Sequence, residues 1–263
     1  SHVSGGLQVL EDSQIDVPIQ AFQANLDFSR SKAALDLVLN AADFGRVTAN
    51  LSLPVQQNKT TKAWGLAGDL PMQGAVGASF ERLNWLGPMI SGGVRTTGTA
   101  QVAMAIAGTL NKPDVQGRLF GMDLDVFQLD QGVRLEDGNV VVDFTADQAK
   151  IDTFDFTIYN RQAPRRRVEE LGPLIQGNGK LTASGQWNLA GLNGGLSVLL
   201  DRAPIIQRPD RWALVSSNVQ IQQPTVEGQP LKVRGDVNVH GAYIETPESG
   251  APKLGDDVVV KGR

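Results

Sequence analysis

Through most of this chain apolar residues recur at every second position, which forces extended strands lying in a sheet with one greasy face. Val102, Met104 and Ile106 alternate with small or polar neighbours, as do Phe120, Met122, Leu124 and Val126. The pattern returns at Val140, Val142 and Phe144, at Phe154, Phe156 and Ile158, and at Leu181, Ala183 and Trp187. Upstream, Leu35, Leu37 and Leu39 alternate, Asp43-Phe44-Gly45 turns, and Val47, Ala49, Leu51 and Leu53 come back, the wording of a hairpin. Val198 and Leu200, Ile221, and Val233 and Val237 extend the alternation towards the C-terminal end.

Few segments break this period. In Phe80–Ile90 (FERLNWLGPMI), Phe80, Leu83 and Leu86 stand three apart, which predicts one or two helical turns ended by Pro88. Ala163–Leu171 (APRRRVEEL) predicts a short helix or lid, and Arg202–Arg211 reads as a Pro-containing loop. The 29 Gly and 13 Pro punctuate the rest. The pattern yields some fifteen strands with hairpin-length links, the last at Val258–Lys261, and points to an all-β meander or solenoid. The repeats vary in length, so this is no leucine-rich or hexapeptide array. A closed sandwich satisfies the same periodicity.

Composition removes whole function classes. The net charge of −4 leaves no global basic field for nucleic acid. With no Cys there are no disulfides, thiolate nucleophiles or Cys-based zinc sites. No run approaches the roughly 18 apolar residues of a membrane-spanning helix. Ser1-His2 looks like the remnant of a cleaved tag, and residues 3–263 read as one elongated segment of a longer protein.

Reactive groups are scarce. Only His2 and His240 are present, and no G-x-S-x-G elbow, Walker loop, G-x-G-x-x-G or H-E-x-x-H occurs. Paired carboxylates for glycoside hydrolysis leave no short signature. Asp123, Asp125 and Asp130 lack the Gly and terminal Glu of a calcium loop, and read as a solvated strand face. The expectation is a protein that is not an enzyme, with no metal and no cofactor. Arg161, Arg165, Arg166 and Arg167 form the one dense basic cluster. It reads either as a solvated helix end offset by Glu169 and Glu170, or as a set of contacts to lipid phosphates.

Several phrases in order carry a family resemblance. FERLNWLGPMI is succeeded by GTAQVAMAIAGTL, then GTLNKPDVQGRL (Gly108–Leu119) and LEDGNVVVDF (Leu135–Phe144). GNGKLTASGQWNL (Gly177–Leu189), GDVNVHGAYIETPE (Gly235–Glu248) and GDDVVV (Gly255–Val260) complete the series over nearly the whole chain. This succession resembles the TamB proteins of the AsmA-like group. The resemblance implies a sheet folded lengthwise into an open trough with a hydrophobic interior. It further implies the periplasm of a Gram-negative bacterium, an inner-membrane anchor outside this segment, and phospholipid transport towards the outer membrane. A TamA-type outer-membrane partner would dock through regions outside this segment.

The physics of such a trough is independent of the family. One acyl chain of ~16 carbons bared to water costs roughly 13 kcal/mol, at about 0.8 kcal/mol per methylene. A continuous apolar floor removes most of that cost without any reactive group. The expected lining is Leu37, Leu51, Val102, Met104, Ile106, Phe120, Met122, Leu124, Val126, Val140, Val142, Phe144, Phe154, Phe156, Ile158, Leu181, Trp187, Val198, Leu200, Ile221, Val233 and Val237. Arg165, Arg166 and Arg167 are the headgroup candidates. A bulge in any strand reverses which face its residues present. The alternative function is assembly of outer-membrane β proteins by strand addition. A carbohydrate-binding β protein would need more exposed aromatics than this chain offers.

Overall fold

The computed structural model of the chain describes residues 5–8, 16–29, 31–42, 44–57, 62–165, 169–189, 193–224 and 230–245. These residues form fourteen strands in chain order: β1 (Gly5–Gln8), β2 (Asp16–Phe28), β3 (Lys32–Ala41), β4 (Gly45–Gln57), β5 (Trp64–Leu66), β6 (Gln73–Phe80) and β7 (Val94–Gly108). After them come β8 (Pro113–Gln128), β9 (Val133–Phe144), β10 (Gln148–Ile158), β11 (Gly179–Asn188), β12 (Asn193–Arg208), β13 (Arg211–Gln223) and β14 (Lys232–Ile244). Short helices α1 (Leu86–Ile90) and α2 (Gly172–Ile175) interrupt them, the latter preceded by a 3-10 turn at Glu169–Leu171.

All pairings are antiparallel, and spatial order is sequence order: each strand lies between its predecessor and successor. The exception is β5, which pairs with the end of β4 and leaves β6 to take the place beside it. Among the described residues β1 and β14 do not pair, and the sheet does not close into a barrel. It is an open, curved antiparallel sheet, as alternation with hairpin-length links predicts.

Both short helices lie at the same end of the strands. Helix α1 lies against the start of β7, where Gly87 has no room for a side chain: a Cβ there would come within 2.8 Å of the Val94 carbonyl oxygen. Buried Thr96 ties the two together, accepting the Gly87 N–H at 2.8 Å and donating to the Leu83 carbonyl. Phe44, Phe80 and Trp85 stack beside it, the Phe44–Trp85 centroids 4.6 Å apart. Helix α2 packs on the other face of the sheet at the same end. Leu171, Trp212 and Leu214 are buried there against Leu174, Ile175 and Tyr243. Asn160 bridges them, accepting the Trp212 indole N–H and donating to the Ile175 carbonyl.

Three local expectations need correction. Pro88 does not end the first helix but lies within its first turn, where the missing N–H has no intrahelical partner to lose. The second helix begins beyond Glu169 rather than at Ala163, and Arg165 precedes it in irregular chain. Arg202–Arg208 is not a loop but the last part of β12. Register shifts between Leu200 and Ala203 and between Pro204 and Ile206 let a proline stand in a strand, because each releases a ladder position. The expected strand at Val258–Lys261 and the tag remnant lie outside the described residues.

Candidate functional site

Cross-strand partners share a face of the sheet, so the registers trace one surface from strand to strand. Leu39, Leu37 and Leu35 pair with Val47, Ala49 and Leu51. These pair in turn with Ala78, Val76 and Gly74, and those with Val102, Met104 and Ile106. On β8 the partners of the last three are Leu119, Gly117 and Val115. Leu119 leads to Val142, and Val142 to Ile151 and Gly185. Gly185 leads to Leu196, Ile221 and Val233. One apolar face thus runs from β3 to β14.

Four irregularities keep that face continuous. Asp123, Asp137 and Arg202 have positive φ (51°, 54° and 44°) at register shifts in β8, β9 and β12. A fourth shift falls between Ile151 and Thr153 in β10. Each inserts one residue and reverses the parity of the rest of its strand. In β10, Ile151 and Phe154 thereby join the same face despite their odd separation. Phe156 lies two positions beyond, its ring over Gly138, where a Cβ would come within 2.0 Å of it. At this end the floor is deep: Phe156 and Ile158 are 4% and 1% exposed.

Most of the expected lining reaches this face. Leu37, Leu51, Val102, Met104, Ile106, Leu124, Val126, Val140, Val142, Phe144, Phe154, Phe156, Ile158, Leu181, Trp187, Val198, Leu200, Ile221, Val233 and Val237 all lie on it. Phe120 and Met122 do not, and this corrects the reading of β8. They pair with Gln101 and Thr99 on the opposite face, and are 37% and 48% exposed. The left-handed residue that separates them from Leu124 is Asp123, an L-residue in a conformation that Asp tolerates better than most. Alternation missed Leu119 and Val115, the residues of β8 that do share the face before the bulge.

Val102, Met104, Ile106, Leu119, Leu124 and Val126 are half-buried rather than enclosed. A closed sandwich would bury them fully. Towards the edges the face opens further: Leu26 and Phe28 on β2 and Val233, Val237 and Val239 on β14 are exposed. The opposite face carries the polar ladder. Arg118 pairs with Asp143 across β8 and β9. That hydrogen bond and charge hold the Asp143 carboxyl below its ordinary range and raise the Arg118 guanidinium above its own. Tyr159 donates to Asp137 at 2.6 Å, which raises its phenol above the ordinary value.

Of the headgroup candidates, Arg165 is exposed, its N–H donating to the Pro209 carbonyl. Arg166 and Arg167 lie outside the described residues. His240 meets Ser216 at 2.8 Å, and Ser216 Oγ also accepts the Arg202 N–H at the β12 bulge. No carboxylate orients His240 among the described residues, and no cluster of metal-ligating side chains occurs among them. No helix there is long and apolar enough to cross a membrane. No protein family, curated protein or solved structure matches this chain.

Proposed function

We propose that this chain is a segment of a TamB-like periplasmic protein whose apolar face shields phospholipid acyl chains on their way between membranes. The observation that carries the reading is the single apolar face kept in register from β3 to β14, half-open over its middle and closed at the helical end, where Phe156, Ile158 and Val215 are buried. A surface for acyl chains needs apolar contact without fixed polar anchors, so that a chain can slide. Val, Leu, Ile and Phe supply this, and Met104 adds a side chain that adapts to varied shapes. The role requires no nucleophile, metal or cofactor.

Photocrosslinking to lipid in cells tests it, with a photoreactive residue at Met104, Val140 or Phe154. Phe120 and Met122 are the controls, apolar but on the opposite face. Adducts confined to the first set are expected. Equal labelling of both sets, or of neither, defeats the reading.

A second reading has its own observation. Among the described residues β14 is paired on one side only, by β13, and no described residue takes up the N–H and C=O groups of its other edge. Such an edge accepts an added strand. This supports a role in assembling outer-membrane β proteins with a TamA-type partner. Proline substitution at alternate β14 positions would abolish that activity and leave lipid labelling intact.

A further inference from the structure

At the helical end of the sheet, on the face opposite the apolar floor, lies a cleft of about 400 Å³. It forms because β10 and β11 stop short while the β8–β9 turn reaches across to the end of β12. The Gln207 N–H donates to the Gln131 carbonyl at 2.8 Å and fastens the two. Gly132 permits the approach: its φ is +69°, and a Cβ would stand 2.4 Å from the Gln207 carbonyl oxygen. The Gln207 side chain is 1% exposed, and its Oε1 accepts the Arg161 N–H at 2.9 Å.

Three arginines line the cleft, Arg134, Arg161 and Arg208, and no Asp or Glu is among the described lining residues. The concentration runs against a chain net charge of −4. Their commitments differ. Arg161 is paired with Glu136, and Arg208 stands 4.0 Å from Asp210, the outer limit of an ion pair. Arg134 has no carboxylate partner among the described residues; its guanidinium lies over the Phe127 ring at 4.3 Å. A guanidinium pinned by stacking keeps its N–H fork free and pre-oriented for a planar or tetrahedral oxyanion. Phe127, Leu129 and Pro209 add an apolar wall beside the cations.

The geometry points to a binding site for a phosphate ester, its phosphate held by Arg134 and Arg208 and its alkyl part against Phe127, Leu129 and Pro209. The site stands independently of whether the apolar floor carries acyl chains. Its phosphate has two sources, a lipid headgroup or a free small phosphate ester.

The test follows the arginine Nε–H signals of the whole chain by NMR while glycerol phosphate is added. A parallel arm measures co-sedimentation with phosphatidylcholine vesicles containing or lacking phosphatidylglycerol. Shifts confined to Arg134, Arg161 and Arg208 are expected, weakened about tenfold or more by Arg134→Gln or Arg208→Gln. Arg46→Gln removes the same charge elsewhere and leaves affinity unchanged. Vesicle binding that needs phosphatidylglycerol and Arg134 identifies the lipid source; shifts with glycerol phosphate but no such vesicle binding identify the free ester. Uniform shifts across all arginines, equal loss in Arg46→Gln, or no response in either arm overturns the proposal.

Discussion

Met122 and Leu124, two positions apart on β8, face opposite sides of the sheet because Asp123 between them stands at φ 51°. Leu124 folds back over Gly121 and Gly98, whose missing side chains make room for it. The bulge therefore decides which residues of β8 reach the apolar floor.

Asp123→Gly should hold or raise stability, because glycine adopts that φ without strain. Asp123→Val should lower it by about 1–3 kcal/mol, since a β-branched residue resists the left-handed region. Urea denaturation midpoints check the order; equal midpoints would mean that the bulge is not locked at Asp123.

Gly138→Ala should destabilise by about 1–3 kcal/mol, as the new methyl meets a buried ring that has nowhere to go. Phe156→Leu in the same chain should recover part of the loss, and the non-additivity of the double-mutant cycle reports the contact. Strict additivity would place the ring elsewhere.

A carboxylate at Val102 or Met104 should weaken binding of a fluorescent fatty acid about tenfold or more, because a charge set among acyl chains loses hydration without a partner. Phe120→Glu, one strand away on the opposite face, should leave binding unchanged. Circular dichroism confirms that all three variants keep the sheet. Matched losses at Phe120 and Met104 would move the site off the apolar face.

Arg118 holds Asp143 below its ordinary 3.8, so the ionised carboxylate favours the folded state. That contribution is complete above the unfolded value and disappears as pH falls through the lowered folded one. Asp143→Asn should therefore flatten the acid side of the stability profile below about pH 4 and leave the profile's shape at neutral pH unaltered. Unfolding midpoints against pH, with an NMR titration of the carboxyl carbon, test it. An unchanged acid limb would show the pair to be fully screened by solvent.

Alternation placed most of the floor because a side chain's face is set by parity alone wherever a strand is regular. Val102, Met104 and Ile106 needed nothing more. It failed at Phe120 and Met122 because the reversing residue, Asp123, looks in sequence like any polar residue of a solvated face. It failed again at Pro204, since a proline advertises a loop while its pairing through register shifts depends on β13. The arginine cleft left no local trace: Arg134, Arg161 and Arg208 belong to three segments that meet only when the β8–β9 turn reaches β12. The run Arg165–Arg167 drew attention by density, whereas Arg134 matters through its posture over Phe127.

Since spatial order copies chain order, the sheet behaves as a ruler graduated in hairpins. Duplicating one β-turn-β unit would add about 10 Å of reach, two strand spacings, while every other strand kept its old neighbours. Little new core would have to be devised, because packing among the described residues is mostly between adjacent strands, the exceptions being where β9 meets β12 and where α2 covers Trp212 and Leu214. Span in such a molecule is counted rather than designed: duplicating a hairpin lengthens the sheet, and deleting one shortens it.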